Sequence, residues 1–146
     1  MEKKSKLRTY RKLKTKLVLE NYVVELEREQ RRQLTMLRGG TNKLRIETGR
    51  RRGECENERI CNVCLCKEVE DEKHFILRCP MYVRERVEMF DRLEKECELG
   101  QIEQEGEDRQ MNILIGSGEK EKEKQIRDIV LAYMRKEYDI RKRYIT

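Results

Sequence analysis

Apolar residues recur every three or four positions through most of this chain, with polar and charged residues between them. This spacing predicts amphipathic helices. The first is marked by Leu7, Tyr10, Leu13 and Leu17, and the second, over residues 20–38, by Val23, Leu26, Leu34 and Leu37. Gly39 and Gly40 are expected to end the second helix, because glycine disfavours helix interiors and favours turns.

Between residues 41 and 53 the helical spacing gives way to alternation. Leu44 and Ile46 are separated by charged residues, which predicts one short strand. A turn at Gly49 and a basic loop through Gly53 are expected to follow that strand.

Helical spacing resumes after residue 80. Pro80 suits the first position of a helix. The stripe that this helix is predicted to bury consists of Val83, Val87, Phe90, Leu93 and Cys97. A polar linker over residues 100–106 and a short buried segment over 111–115 come next, and residues 116–118 end that segment. The last helix is expected to begin near Glu119 and to bury Ile126, Ile129, Val130, Tyr133 and Met134.

The composition limits the classes of protein to consider. The chain has 146 residues, of which 44 % are charged and 5 % aromatic, so we expect one domain with a thin core. Its longest apolar run, residues 129–134, is far shorter than the roughly 20 residues that span a bilayer. The N-terminus lacks the features of a secretory signal. We therefore expect no membrane association, an intracellular location, nuclear or cytoplasmic, and reduced cysteines.

Four residues in the middle of the chain have the spacing of a metal site, C-x2-C-x9-H-x4-C. They are Cys61, Cys64, His74 and Cys79. Zn²⁺ prefers four such ligands in a tetrahedron, and four protein ligands leave no open position for catalysis, so the pattern predicts a structural zinc site and no enzyme. His74 and Cys79 are five positions apart, which fits one helical face poorly, so Cys79 is expected just beyond the end of a short helix.

Other interpretations of this segment remain open. Cys66 lies two residues after Cys64 and is an alternative ligand, whereas Cys55 and Cys97 are expected to be spare thiols. The cysteines and the single histidine are alternatively ordinary core residues. The acidic run over residues 68–72 is interpreted as a solvated turn in which Asp71 caps a helix, in preference to a divalent-cation site.

These patterns together predict a mainly α fold, a small helical domain with one short CCHC zinc-binding knuckle or β-turn inserted. We expect three parts within one compact domain. Residues 1–40 form basic N-terminal helices, residues 41–80 the short strand, the basic loop and the knuckle, and residues 81–146 the C-terminal helices.

Charge is divided unevenly along the chain. Residues 1–52 contain 17 Lys and Arg but only six Glu, whereas the remainder carries a net negative charge. Such a basic half predicts phosphate contacts with RNA or DNA. The candidate contacts are Lys6, Arg8, Arg11, Lys12 and Lys14 on the first helix and Arg50, Arg51 and Arg52 on the loop. The alternative is a solvated helix face together with a nuclear-import signal.

Several stretches, in order and spacing, carry a resemblance to a known family. They are Leu7–Lys14, Leu37–Arg38, Leu44–Arg50, Arg59–Cys64, Val69–Phe75, Cys79–Tyr82 and Arg84–Arg86. Over about residues 6–92 the chain resembles the C-terminal tail of non-LTR (LINE-type) retrotransposon reverse transcriptases, and residues 111–145 resemble the end of the same proteins.

The resemblance implies a zinc knuckle that helps to hold RNA or target DNA. The ligands that it carries over are Cys61, Cys64, His74 and Cys79, and Cys66 departs from the usual pattern. The polymerase's paired aspartates and the endonuclease domain have no counterpart in this sequence, which is therefore interpreted as a fragment without catalytic activity. Two other interpretations stay open: a fragment without present function, and a zinc-stabilised module that binds a protein partner or itself through the C-terminal helices.

Overall fold

The computed structural model describes residues 7–13, 21–116 and 122–145. Its α-helices are α1 (Arg8–Leu13), α2 (Asn21–Glu25), α3 (Arg28–Gly39), α4 (Arg45–Arg51), α5 (Val83–Cys97), α6 (Glu107–Ile115) and α7 (Glu123–Tyr144). Short 3-10 turns lie at Glu56–Glu58, Pro80–Tyr82 and Ile102–Gln104, and a π-helical turn lies at His74–Arg78. The described ranges contain no strand, which confirms the predicted mainly α class.

The two longest helices, α5 and α7, pack along each other, and α6 packs on α7. All five apolar residues predicted to face inward on α7 are buried. The stripe predicted on α5 is only partly right, because Val83 and Val87 are 51 % and 60 % exposed. Met89 is buried instead, beside Phe90 and Leu93, so the buried face of α5 is centred further along the helix than the valines suggested.

The predicted second helix is divided into α2 and α3, and α1 packs on α3. The chain is extended at Glu27, between the two helices. The side chain of Arg31 donates a hydrogen bond to the carbonyl of Leu26 at 3.3 Å, which satisfies an acceptor that the break leaves free. The predicted end of α3 is confirmed, since Gly40 has the left-handed conformation (φ +70°) and donates its N–H to Met36.

The strand predicted at residues 44–46 is wrong, because this segment begins helix α4. A long-range contact stabilises the start of the helix: the carboxylate of Glu70 accepts the backbone N–H of Arg45 at 2.7 Å, and the Glu70 carbonyl accepts that of Ile46 at 3.1 Å. The turn predicted at Gly49 is also wrong. Gly49 lies inside α4, where a Cβ atom would come within 2.5 Å of Cγ of Arg59.

Two predictions in the C-terminal third concern connections. Ile102 is buried within the predicted polar linker, and its carbonyl accepts a hydrogen bond from Gln110 at 2.9 Å. The predicted boundary at residues 117–119 lies outside the described residues. Among the described helices, none combines the length and the apolar character that crossing a membrane requires.

Glu137 on α7 is fully buried, and neither of its carboxylate oxygens has a hydrogen-bond partner among the described residues. Burial raises the pKa of this carboxyl well above its ordinary value, and the nearby Arg86 opposes the effect only in part. At pH values between the unfolded and folded pKa, the folded protein therefore holds a proton that the unfolded chain has released. The free energy of unfolding must fall as the pH rises through this interval.

We expect Glu137→Gln to remove this dependence. From about pH 5 upward, wild type should lose up to about 1.4 kcal/mol of stability per pH unit relative to the variant. Urea denaturation of both proteins at several pH values measures the difference. Glu105→Gln, at an exposed position, is the control. Parallel stability curves for wild type and Glu137→Gln would contradict the prediction.

Candidate metal centre

The four predicted ligands come together in the folded chain. The donor atoms of Cys61, Cys64, His74 and Cys79 all lie within 4.8 Å of one another, and all four residues are buried. Sγ of Cys64 lies 3.4 Å from Nε2 of His74. Ligands placed tetrahedrally at about 2.3 Å from one ion lie roughly 3.8 Å apart. The cluster could therefore hold a single metal ion.

The first ligand pair lies on a loop closed by one antiparallel bridge between Ile60 and Val69. The N–H of Cys61 donates to the carbonyl of Glu68 at 2.9 Å, and the N–H of Glu70 donates to that of Arg59 at 3.0 Å. These bonds fix both ends of the loop, so that Cys61 and Cys64 are held on one side of it.

The second pair depends on the π-helical turn. The side chain of Asp71 accepts the N–H of His74 at 2.8 Å, which confirms the predicted cap. The N–H of Cys79 donates to the carbonyl of His74, five residues earlier, at 2.7 Å. A π turn closes over five residues instead of four. It therefore brings together two ligands whose spacing does not fit an α-helical face, and Cys79 lies just beyond the end of the turn, as expected.

Glu68 orients the histidine. Its carboxylate lies 3.1 Å from Nδ1 of His74, while Nε2 faces the cysteines. Burial opposes protonation of His74, but hydrogen bonds with Cys61 and Glu68 outweigh burial and raise its pKa. A carboxylate that accepts a hydrogen bond from the outer nitrogen of a ligating histidine fixes the ring and strengthens it as a ligand.

The thiol of Cys79 shares its proton with Cys61 through a hydrogen bond. A bound metal cation can take the place of that proton. A hydrogen bond from Cys79 lowers the pKa of Cys61 to about 3, and the same bond, together with burial, raises the pKa of Cys79. Metal binding requires thiolates and a neutral imidazole. Because His74 and Cys79 both hold their protons more tightly than usual, metal uptake should release protons and should weaken as the pH falls.

We expect Glu68→Ala to weaken metal binding about 10- to 100-fold. Glu68→Gln should lose less, because its amide oxygen can still accept from Nδ1. Competition with a chromophoric chelator measures both affinities, and Glu56→Gln, at an exposed position, is the matched control. Equal affinities for wild type and Glu68→Ala would contradict the orienting role of Glu68.

The C-terminal helices hold the far end of the π turn. Arg86 of α5 donates to the carbonyls of Ile76 and Cys79 at 2.9 and 2.8 Å, and the hydroxyl of Tyr133 on α7 donates to Ile76 at 2.7 Å. Sequence reasoning missed both supporting residues. Tyr133 is 57 positions from its partner, so no local pattern could have indicated this contact.

The prediction of a solvated acidic run is wrong for two of its carboxylates. Glu70 and Glu72 are buried. Glu70 pairs with Arg141 at 2.7 and 2.9 Å, and Glu72 pairs with Arg8 at 2.7 Å and accepts from Asn42 at 3.1 Å. Each carboxylate therefore binds a different part of the fold, and Arg141, in the last turn of α7, contributes a buried ion pair.

The remaining thiols lie outside the cluster. Cys55 and Cys66 are exposed, Cys97 is buried on α5, and none of the six cysteines forms a disulfide in the structure. The four-residue set that could hold a metal contains Cys64 and not Cys66.

The residues predicted to contact nucleic acid have different surroundings. Lys6 and Lys14 lie outside the described residues. Arg8 and Arg50 both form ion pairs with the buried Glu47. The four others, Arg11 and Lys12 on α1, Arg51 at the end of α4 and Arg52 just after it, are exposed and pair with no described carboxylate. Arg50 and Arg51 thus lie in the last turn of a helix and not in the predicted basic loop.

The chain was compared with protein-family models, with curated proteins and with solved structures, and no match was found. Its function must therefore be inferred from the metal centre and from the charged surfaces.

Proposed function

We propose that this chain is a structural zinc module that binds RNA or DNA, derived from the C-terminal end of a non-LTR retrotransposon reverse transcriptase and without catalytic activity of its own. The observation that carries the proposal is the buried cluster of three thiols and one imidazole, with donor atoms within 4.8 Å.

Zinc is the metal that this donor set favours. Three thiolates and one imidazole at tetrahedral spacing are typical of closed structural zinc sites. Four protein ligands leave no position for a metal-bound water, which argues against a hydrolytic role for this ion. The ion would hold the loop over residues 61–68 against the π turn, in addition to the contact between Glu68 and His74.

Glu47 supports the proposed interaction with nucleic acid because its carboxylate connects α1 and α4, the two helices that carry the exposed cations. Burial opposes ionisation of Glu47, but hydrogen bonds with Arg8 of α1 and Arg50 of α4 outweigh burial and lower its pKa. This shared carboxylate ties the first residue of α1 to the last turn of α4. Arg8 and Arg50 therefore position the surface, and the exposed cations next to them supply the phosphate contacts.

These contacts would come from Arg11, Lys12, Arg51 and Arg52, with Lys6 and Lys14 as further candidates. Phosphate contacts fix position without distinguishing sequence. We therefore expect weak sequence preference and a strong dependence on salt. The buried ring of Tyr22 already lies 5.0 and 5.1 Å from the guanidinium groups of Arg38 and Arg127, so it is not available to stack on bases.

The retroelement origin is supported by how the resembling stretches contact one another. The stretch 44–50 meets 69–75 through Glu70, and the stretch 59–64 meets 44–50 through Arg59, which donates to the carbonyl of Ile46 at 3.2 Å. Three of the stretches that carry the resemblance thus contact one another, and two of these three contain predicted metal ligands.

The test combines metal content with binding at two salt concentrations. Elemental analysis should find one zinc per chain. Labelled RNA and duplex DNA should bind. If four cations contact phosphates of duplex DNA, the affinity should fall by about two orders of magnitude as the salt concentration rises from 50 to 200 mM. Arg51→Gln/Arg52→Gln should reduce the salt dependence, whereas Arg84→Gln/Lys124→Gln, at exposed positions elsewhere, should not. Zinc-loaded protein that binds neither polymer would refute the nucleic-acid part.

One observation favours a second candidate, a protein-interaction module. Val83 and Val87 lie one turn apart on α5 and are more than half exposed, and Tyr144 is 55 % exposed at the end of α7. The exposed pair Val83 and Val87 on one helix face suits a protein partner or a second copy. A mass that rises with concentration in wild type and not in Val87→Lys would support this candidate.

A further inference from the structure

A groove with a volume of about 190 Å³ lies between α3 and α7, and none of Arg11, Lys12, Arg51 and Arg52 is among its lining residues. Its charged lining consists of Arg32, Lys43, Arg135 and Lys142, with the carboxylates of Glu29 and Asp139. Cations thus outnumber carboxylates by two to one. The groove has the sign of charge that attracts phosphate.

The two carboxylates neutralise the groove only weakly. Glu29 lies 3.7 Å from Arg32, and Asp139 lies 3.8 Å from Lys142, and all four side chains are more than three-fifths exposed. Such exposed pairs contribute little and exchange readily. Lys43 and Arg135 are exposed and form no ion pair with a described residue. At least two cations are therefore available to an anionic ligand.

The walls of the groove are held in place by buried contacts. The carbonyl of Lys43 accepts from Arg141 at 3.2 Å, and Arg141 is itself paired with the buried Glu70. Tyr138, on the groove wall, packs on Phe75 with ring centroids 4.9 Å apart.

Arg135 and Lys142 are seven residues apart on α7, which separates them by about 10.5 Å along the helix. The backbone that carries these cations is therefore already fixed by buried contacts. It needs little further ordering when a ligand binds.

The groove is also connected to the basic surface formed by α1 and α4. Asn42 lines the groove and donates to Glu72 at 3.1 Å, and the same carboxylate accepts from Arg8 of α1 at 2.7 Å. The groove is therefore joined to the first helix through one buried carboxylate.

We propose that the groove between α3 and α7 binds the phosphate backbone of the same RNA or DNA strand, with Lys43 and Arg135 as its principal contacts. This inference rests on the proposed nucleic-acid function and extends the contact surface from the N-terminal helices to the last helix. Tyr138 is packed into the core and Met36 is half-buried, so recognition would be of phosphates and not of bases.

Lys43→Gln/Arg135→Gln tests the inference, because neither side chain forms an ion pair with a described residue and the fold should be unaffected. The variant, Arg51→Gln/Arg52→Gln and the control Arg84→Gln/Lys124→Gln all remove two positive charges. Binding of labelled single-stranded RNA and duplex DNA is measured by fluorescence anisotropy over a range of salt concentrations, after metal content and helical circular dichroism have been matched. We expect the groove variant to bind more weakly and, on duplex DNA, to lose about 1.8 from the slope of log K against log salt.

The outcomes separate this inference from the function on which it rests. A groove variant that binds like wild type, while Arg51→Gln/Arg52→Gln weakens, would overturn the groove and leave the proposed function intact. Equal losses in the groove variant and the Arg84→Gln/Lys124→Gln control would mean that only net charge matters, which also overturns the groove. No salt-dependent binding by wild type would remove both proposals.

Discussion

Replacement of Cys64 by serine is expected to abolish metal binding and to unfold the segment from Cys61 to Pro80. Cys61 and Cys64 lie on the loop over residues 61–68, whereas His74 and Cys79 lie in and just after the π turn, so a bound ion would tie the two segments together. Structural zinc contributes on the order of 10 kcal/mol of folding free energy in small modules. The loss should appear as absent metal, a lower Tm and faster amide exchange over residues 61–80.

Cys66 supplies both the control and the main alternative. Cys66→Ser should leave metal content and stability unchanged, because Cys66 is exposed and lies outside the cluster. Cys64→Ser/Cys66→Ser should behave like Cys64→Ser. If the double variant alone loses zinc, Cys66 can take the place of Cys64. If Cys64→Ser keeps both its zinc and its stability, Cys64 is not a ligand.

The metal cluster could be predicted because its signal is local. Two cysteines at C-x2-C spacing, followed by a histidine and a cysteine, limit the arrangement strongly, and Asp71 marks the start of the turn that bears His74. The spacing did not indicate a π turn, because an interval of five residues has no counterpart in ordinary helical periodicity. Glu68 could have been suspected as the partner of His74 from its position in the loop.

Helix α4 could not be predicted, because its first N–H groups are satisfied by Glu70, 25 residues away from Arg45. Alternation of Leu44 and Ile46 with charged residues suggested a strand, and both apolar residues are indeed buried. The alternation identified burial correctly and the backbone conformation wrongly. Local propensity was overridden here by a tertiary contact.

The same reason explains the error over the acidic run. Four carboxylates close together in a hydrophilic sequence suggest solvent, and the residues that pair with Glu70 and Glu72 come from opposite ends of the chain. Arg8 lies 64 positions before Glu72, and Arg141 lies 71 positions after Glu70. Charge pairing at that separation leaves no periodic signal. In the folded chain, the acidic run connects the loop over residues 61–68 to α1, to α4 and to α7.

Glu70→Gln is therefore expected to destabilise the whole fold and not only the loop over residues 61–68. Glu70 is 1 % exposed and accepts three hydrogen bonds, two from Arg141 and one from the N–H of Arg45. Glutamine would turn an NH₂ group towards one of these donors and leave Arg141 without its buried counter-charge. Removing one partner of a buried ion pair costs about 3–5 kcal/mol. Urea denaturation of the zinc-loaded proteins measures the difference.

The matched control is Glu88→Gln, which removes an ion pair with Lys136 whose side chains are both about half exposed; its stability should hardly change. Glu70→Gln/Arg141→Met should recover part of the loss, because the methionine removes the stranded charge while filling much of its volume. Failure of the double variant to recover would mean that the Arg45 N–H, and thus the start of α4, accounts for the loss. Equal stabilities for Glu70→Gln and Glu88→Gln would show that the buried pair of Glu70 and Arg141 does not stabilise the packing of α7 beside the loop over residues 61–68.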